Sequence, residues 1–125
     1  MRPGIQHGVF KRLRHGEYRV ETRLDLHGMS VEQAREALYR MVRDALKHDV
    51  RVCLLSHGRG AQRDTPALLK SCIAFWLPRM EEVLAFHSAP HHLGGTGATV
   101  LLLRKSERAR QENFERYARR GAAQR

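Results

Sequence analysis

The chain has 125 residues, 42% of them hydrophobic, and a formal net charge of +10. This length favours one compact domain with tails, and the apolar content is sufficient for a hydrophobic core. The first 20 residues contain no continuous apolar segment that would direct secretion, and no segment has the length of a membrane span. We therefore expect a cytoplasmic protein without a membrane partner.

The positive charge is concentrated at the two ends of the chain. Residues 1–23 carry six basic and two acidic side chains, and residues 104–125 carry eight basic and three acidic ones. The segment between them is nearly neutral. Two terminal segments of the same sign favour a polyanionic partner, and nucleic acid is the most common one. Ends that only improve solubility are the alternative explanation.

The composition divides the chain into three segments: a basic N-terminal arm (1–21), an α/β domain (22–104) and a basic C-terminal helix or tail (105–125). The arm has no sustained hydrophobic period, so no element is assigned to it, and whether it is ordered is left open. Its residues Lys11, Arg12 and Arg14 could bind phosphates while Phe10 stacks on a base. Phe10 could instead pack the arm against the domain.

Within the domain, two predicted helices alternate with the first three predicted strands. The strands cover residues 22–27, 51–56, 82–87 and 98–103. The first helix begins after Ser30, which forms a capping box with Gln33, and it ends near residue 48. The second helix runs from its N-cap Thr65 to Pro78. A charged helix is predicted over residues 106–120.

The order β-α-β-α-β-β predicts an α/β two-layer sandwich, in which a mixed four-stranded sheet has both helices on one face. A right-handed crossover makes the first two strands parallel neighbours, so the loops that follow them emerge at one edge of the sheet. If the fourth strand runs in the opposite direction, the glycine-rich loop 94–97 before it reaches the same edge. The two cysteines, Cys53 and Cys72, are predicted to be buried thiols, because they lie in apolar segments without metal-ligand spacing.

Three segments are therefore expected to meet at this edge, namely residues 24–28, 56–60 and 94–97. Asp25 and His27 are two residues apart on a strand and share a face, where a carboxylate can orient an imidazole. His57 would add a second imidazole, so that the pair supplies a general base and a general acid. Asp25, His27 and His57 are the predicted catalytic residues.

The glycines of these segments would let main-chain N–H groups approach a phosphate, and Arg59 adds a charged donor. The predicted nucleic-acid-binding residues are Gly28, Gly58, Arg59, Gly60, Gly94, Gly95, Thr96 and Gly97, together with Lys11, Arg12 and Arg14. Such a set suits phosphodiester cleavage. Each motif alone has a simpler explanation, such as a surface ion pair or ordinary turn glycines. Asp25, His27 and His57 could also bind a divalent metal, but three ligands in this pattern are not sufficient evidence for a metal site. No metal site is predicted.

Taken together, the three segments resemble the signature blocks of the small MutS-related (Smr) domain. The matching blocks are Leu24-Asp25-Leu26-His27-Gly28, His57-Gly58-Arg59-Gly60 and Gly94-Gly95-Thr96-Gly97. They occur in the order of that family, with helices between them, and the match covers residues 22–104. The basic residues 8–20 are similar to the lead-in of stand-alone bacterial Smr proteins.

The resemblance implies a fold similar to the C-terminal domain of translation initiation factor 3, and an endonuclease or nucleic-acid-binding function. It ties Asp25 and His27 to cleavage, and it ties His57, Gly58 and Gly60 to contact with the substrate, with a role in catalysis as a further option. Arg59 stands where a lysine is common in the family. The charge is kept, but the geometry of a phosphate contact differs between the two side chains.

The leading hypothesis is an endonuclease that cleaves RNA or DNA. RNA offers its own 2′-hydroxyl as nucleophile, whereas DNA would require an activated water and a divalent ion such as Mg or Mn. The alternative is a non-catalytic module that binds nucleic acid or ribosomes through its basic ends. A phosphohydrolase acting on nucleotides is less favoured, because a site at a sheet edge encloses little of a small ligand. The oligomeric state is not predicted.

Overall fold

The computed structural model describes residues 7–58, 68–107, 111–112, 114–116 and 118. Its main elements are α1 (His7–Arg14), β1 (Thr22–Asp25), α2 (Val31–Lys47), β2 (Val52–Ser56), α3 (Leu68–Trp76), β3 (Val83–Ser88) and β4 (Ala98–Leu103). Short 3-10 turns cover Leu77–Arg79, His91–Leu93 and Gly95–Gly97. The described residues between 107 and 118 are helical. None of the helices in these ranges is long and apolar enough to cross a membrane.

The four strands form one mixed sheet in the order β1-β2-β4-β3. β1 runs parallel to β2, and β4 runs antiparallel to β2 and β3. Asp25 at the end of β1 lies opposite Ser56 at the end of β2, and Ser56 lies opposite Ala98 at the start of β4. The carboxyl ends of β1 and β2 therefore meet the start of β4 at one edge, and the predicted mixed four-stranded α/β fold is confirmed.

One face of the sheet, which we call the helix face, is covered by α2 and α3. The predicted capping box starts α2: Ser30 Oγ accepts a hydrogen bond from the Gln33 N–H (3.1 Å), and Gln33 Oε1 accepts one from the Ser30 N–H (3.0 Å). The strand residues that pack on this face alternate along the chain and include Leu24, Leu26, Cys53, Leu55, Leu101 and Leu103. The predicted N-cap of the second helix, Thr65, lies outside the described residues.

The two cysteines differ in burial. Cys53 is fully buried on the helix face, as predicted, and burial raises the pKa of its thiol to about 12. Cys72 on α3 is only half-buried, so the prediction holds in part for this residue. Both are free thiols.

The opposite face, which we call the open face, is partly covered by α1. Leu13 is completely buried, and Phe10 packs beside it against a second apolar cluster formed by alternate residues of β2, β3 and β4. Residues 1–21, to which no element was assigned from the sequence, thus contain α1, and Phe10 packs against the domain, which was one of its two alternatives. The apolar positions 9, 10 and 13 of α1 have helical spacing, but they occupy only two turns and are surrounded by basic residues, so no sustained period is visible.

Candidate functional site

An aspartate–histidine pair lies at the carboxyl end of β1. The Oδ1 atom of Asp25 lies 2.9 Å from Nδ1 of His27 and also accepts a hydrogen bond of 3.1 Å from the His27 main-chain N–H. These two hydrogen bonds hold the pKa of the Asp25 carboxyl below its ordinary value. An ionised carboxylate only accepts hydrogen bonds, so Nδ1 of His27 is the donor in this contact, and in the neutral ring Nε2 is the acceptor.

The pair is open to solvent on the open face of the sheet. The side chains of His27 and Asp25 are 69% and 62% exposed. Side chains alternate between the two faces of a strand, and Leu24 and Leu26 pack on the helix face. Asp25 and His27 therefore face away from α2 and α3, and Nε2 of His27 is accessible to a large substrate.

The turn after β2 lies beside this pair. A Cβ atom placed on Gly58 would lie 3.6 Å from the Cβ of His27. The main-chain N–H groups of His57 and Gly58 both donate to the carbonyl of Gly97, each over 3.0 Å. The three predicted segments thus meet at one edge of the sheet, as expected for their described residues.

The imidazole of His57 does not join that of His27. Its Nε2 lies 3.0 Å from Oγ1 of Thr99, and its Nδ1 lies 2.9 Å from the Gly58 carbonyl oxygen. Thr99 has the same parity along β4 as Leu101, which packs on the helix face. The two histidine side chains therefore lie on opposite faces of the sheet, and the prediction that they converge is wrong. The reason is strand alternation: His57 follows Cys53 and Leu55 on the helix face.

Burial also changes the chemistry of His57. Only 2% of this residue is exposed. Burial is the main cause that lowers the pKa of its imidazole from the ordinary 6.5, and the positive charge of Lys70 adds to the effect. A neutral ring that donates from Nδ1 to the Gly58 carbonyl must accept a hydrogen bond from the Thr99 hydroxyl at Nε2. Both ring nitrogens are therefore occupied within the protein.

The glycine N–H groups at this edge are also largely occupied. Those of Gly94, Gly95 and Gly97 donate to main-chain carbonyls of the 90–94 segment over 3.1–3.2 Å, and that of Gly58 donates to Gly97. These four amides already close the turns of the loops, and the prediction that Gly58, Gly94, Gly95 and Gly97 contact nucleic acid stays a prediction. Positive φ values at Gly58, Gly94 and Gly95 explain why glycine is required there.

The other predicted binding residues are placed as follows. Gly28 (φ 77°) forms the turn after β1 and is exposed, and Thr96 is exposed in the glycine-rich loop. Lys11, Arg12 and Arg14 are exposed on α1, because Leu13 of the same helix faces the sheet. Arg59 and Gly60 lie outside the described residues.

Thr99 is a residue of this site that was not predicted from the sequence. It is 5% exposed and it orders the His57 ring. A single hydroxyl in the otherwise apolar strand Ala98–Leu103 was the available signal, because a buried hydroxyl needs a hydrogen-bond partner.

The donor set does not form a recognisable metal centre. Among the described residues, no group of three or more His, Cys, Asp or Glu side chains is placed to hold a metal ion. Asp25 and His27 would supply one carboxylate and one imidazole. Mg²⁺ prefers oxygen ligands in an octahedral arrangement, so this pair alone fits it poorly.

The chain has close relatives of known family. The family model for the Smr domain matches residues 24–104. The chain is 38% identical over 120 residues to the probable DNA endonuclease SmrA of Escherichia coli K12. This alignment covers 95% of the chain and 64% of SmrA. The chain is also 36% identical over 103 residues to the ribosome rescue factor SmrB of Yersinia enterocolitica, with 82% and 56% covered. The chain thus spans less than two-thirds of the length of these relatives.

Solved structures agree with the sequence relationship. YdaL, a stand-alone small MutS-related protein from Escherichia coli, superimposes with a TM-score of 0.73 at 36% identity, over 83% of this chain and 80% of that one. The Smr domain of Thermus thermophilus MutS2 gives a TM-score of 0.61 at 30% identity, over 66% and 98%. The resemblance found in the three sequence blocks is confirmed, and the chain belongs to the Smr domain family.

Proposed function

We propose that this protein is an endonuclease that cleaves RNA, with Asp25 and His27 as its catalytic residues. The observation that carries the proposal is the 2.9 Å contact between Asp25 Oδ1 and His27 Nδ1 on an exposed strand end. The contact makes Nδ1 the donor, so in the neutral ring the exposed Nε2 is the acceptor. An imidazole held in this way by a carboxylate is suited to act as a general base.

In the proposed reaction, His27 Nε2 removes the proton of a ribose 2′-hydroxyl. The 2′ oxygen attacks the adjacent phosphorus, a bond forms between them, and the bond from phosphorus to the 5′ oxygen of the next nucleotide breaks. The leaving oxygen takes a proton from water, since His57 faces the other side of the sheet, and the hydroxide that remains takes the proton from the His27 imidazolium. The products are a 2′,3′-cyclic phosphate and a 5′-hydroxyl. Asp25 stabilises the imidazolium that forms.

Two considerations favour RNA over DNA. Cleavage of DNA requires an activated water, which usually depends on a divalent ion such as Mg²⁺ or Mn²⁺. The described residues supply only Asp25 and His27 at this place as ligands of the right type. The relative SmrA is a probable DNA endonuclease and SmrB is a ribosome rescue factor, so the relatives are compatible with either DNA or RNA as the substrate. The small number of metal ligands near Asp25 and His27 favours RNA as the substrate.

We also propose that the cations of α1 bind substrate phosphates. Lys11, Arg12 and Arg14 point away from the sheet, because Leu13 and Phe10 attach the helix to it. The turn of Gly28 and the exposed Thr96 lie at the site edge and would contact the strand near the scissile bond. A ribosome, whose surface is largely RNA, is the expected larger partner.

A second candidate function is a non-catalytic module that binds nucleic acid or ribosomes. The exposed cations of α1 favour it, because they would provide binding without any chemistry at Asp25 and His27. Binding should then weaken steeply with salt, and no form of the protein should cleave.

The test is cleavage of end-labelled RNA, with analysis of the product ends. The wild type should cleave in the presence of EDTA and leave a cyclic phosphate, and a 2′-deoxy substitution at the scissile nucleotide should abolish cleavage. Asp25→Asn and His27→Ala should each reduce the rate by about 10²- to 10⁴-fold. Asp44→Asn and His48→Ala are controls that make the same changes at two exposed residues, one near the end of α2 and one at its C-cap. Undiminished cleavage by His27→Ala would refute the mechanism.

A further inference from the structure

Arg23 lies on the same strand and the same face as Asp25 of the proposed catalytic pair. It is exposed on β1, two residues before Asp25. Residues that are two apart on a strand point in the same direction, about 6.6 Å from each other. Its register partner on β2 is Leu54, which packs into the apolar cluster of the open face. Arg23 and Asp25 therefore point the same way along β1, and His27, in the turn after the strand, contacts Asp25, so that the three residues form a line.

The line lies at a border of the sheet. β1 is the first strand in the sheet order, and it pairs with β2 along one side. α1 packs on β3 and β4 rather than on this end of the sheet. The described elements thus leave the open face of β1 accessible, with room for an extended polymer to lie along the strand.

The guanidinium of Arg23 is available for a ligand. Among the described residues, no carboxylate lies within ion-pair distance of it, and it makes no ring contact there. An arginine can bind a phosphate through two parallel hydrogen bonds. Its distance from Asp25 is comparable to one nucleotide step of an extended strand.

We propose that Arg23 binds the phosphate adjacent to the scissile one, so that the substrate is a strand with at least two consecutive phosphates. This inference rests on the proposed function, because it takes Asp25 and His27 as the cleavage point. A dinucleoside monophosphate has no phosphate for Arg23, and it should be a poor substrate even though it contains the bond to be broken. Longer single strands supply the contact.

The experiment compares Arg23→Ala with Arg43→Ala, which removes the same charge from the exposed surface of α2 on the helix face. On an oligoribonucleotide, Arg23→Ala should lower kcat/KM by about 10- to 100-fold, the range typical of one charged hydrogen-bond contact. On a dinucleoside monophosphate it should change kcat/KM by less than about twofold. Arg43→Ala should resemble the wild type on both substrates. Thermal unfolding checks that both variants are folded.

Substrates with one neutral methylphosphonate on either side of the scissile phosphate provide the direct test. One of the two positions should reduce wild-type cleavage as much as Arg23→Ala does. In Arg23→Ala, the same substitution should cause no further loss, because the two changes remove one contact. Losses that add, or equal effects of Arg23→Ala and Arg43→Ala, would overturn the proposal.

A binding measurement separates this inference from the proposed function. The ligand is the same oligonucleotide with 2′-deoxyribose at the scissile position, so no cleavage is needed. The slope of log K against log salt should be smaller by about 0.7 in Arg23→Ala than in the wild type, as expected for one phosphate contact on a single strand. If the two salt slopes differ by this amount but the wild type cleaves no RNA, the cleavage mechanism is refuted and the phosphate contact of Arg23 is supported. An unchanged slope would refute the contact.

Discussion

The Nε2 atom of His57 lies 3.0 Å from the hydroxyl of Thr99, on the face of the sheet opposite to His27. The other ring nitrogen contacts the carbonyl of Gly58, whose Cα lies beside His27. His57 therefore connects the interior of the domain with the turn that borders the proposed catalytic pair. We interpret it as a positioning residue for this turn, in place of the acid–base role that the sequence suggested.

The first prediction concerns this role. His57→Gln keeps one donor and one acceptor at similar places, so it should retain cleavage within about tenfold of the wild type. His57→Ala should lose more, because the Thr99 hydroxyl and the Gly58 carbonyl lose their partner. An acid–base role would make both variants equally poor, by 10²-fold or more. Single-turnover cleavage rates of the two variants across pH 5 to 9 distinguish these outcomes.

The second prediction concerns stability and pH. Burial lowers the pKa of His57 in the folded protein below its ordinary 6.5. Between these two values the unfolded chain binds more protons than the folded one, so the free energy of unfolding falls as the pH decreases. The contribution is at most about 1.4 kcal/mol per pH unit. Urea unfolding at pH 5.5, 6.5 and 7.5 should show a smaller decrease for His57→Gln than for the wild type. Parallel curves for the two proteins would contradict this account.

The third prediction concerns the attachment of α1. Leu13 is completely buried, so Leu13→Ala should reduce the free energy of unfolding by about 2–5 kcal/mol. Arg14→Ala, at the next and exposed position, should change it by less than about 0.5 kcal/mol. Urea denaturation measures both. If the Leu13 variant were as stable as the wild type, α1 would not belong to the cooperative domain.

The fourth prediction concerns the contact between the end of the N-terminal segment and the loop before β4. Gly16 has a φ of 71°, and a Cβ atom there would lie 2.6 Å from Cγ of Pro90. Gly16→Ala should destabilise the protein by about 1–3 kcal/mol, because both the backbone conformation and the contact are unfavourable for alanine. Gly8→Ala is the matched control: it lies in α1 with nothing within 4 Å of the new Cβ.

The control variant Gly8→Ala should be neutral or stabilising by up to about 1 kcal/mol, since alanine is the better helix former. Amide hydrogen exchange gives a local readout for the Gly16 variant. The N–H groups of His57 and Gly58, which donate to Gly97, should exchange faster if displacement of Pro90 is transmitted along the loop. Unchanged exchange together with unchanged stability would show that the Gly16 contact is dispensable.

Hydrophobic patterning was sufficient for most of the fold. The alternation of apolar and polar residues, the Ser30 capping box and the element order predicted the sheet, its main helices and the edge at which Asp25, Gly58 and Gly97 meet. These features are local or follow from general rules of handedness, so they can be obtained without coordinates. The family resemblance rests on the same three segments.

The direction of individual side chains was decided by the tertiary structure. His27 and His57 come from equivalent loops, yet a difference of one residue in phase relative to the sheet places them on opposite faces. The hydrogen-bond partners of the glycine amides and the docking of α1 through Leu13 depend on residues far apart in the chain. The sequence determined which groups arrive at the edge of the sheet, and packing decided which of them face the solvent.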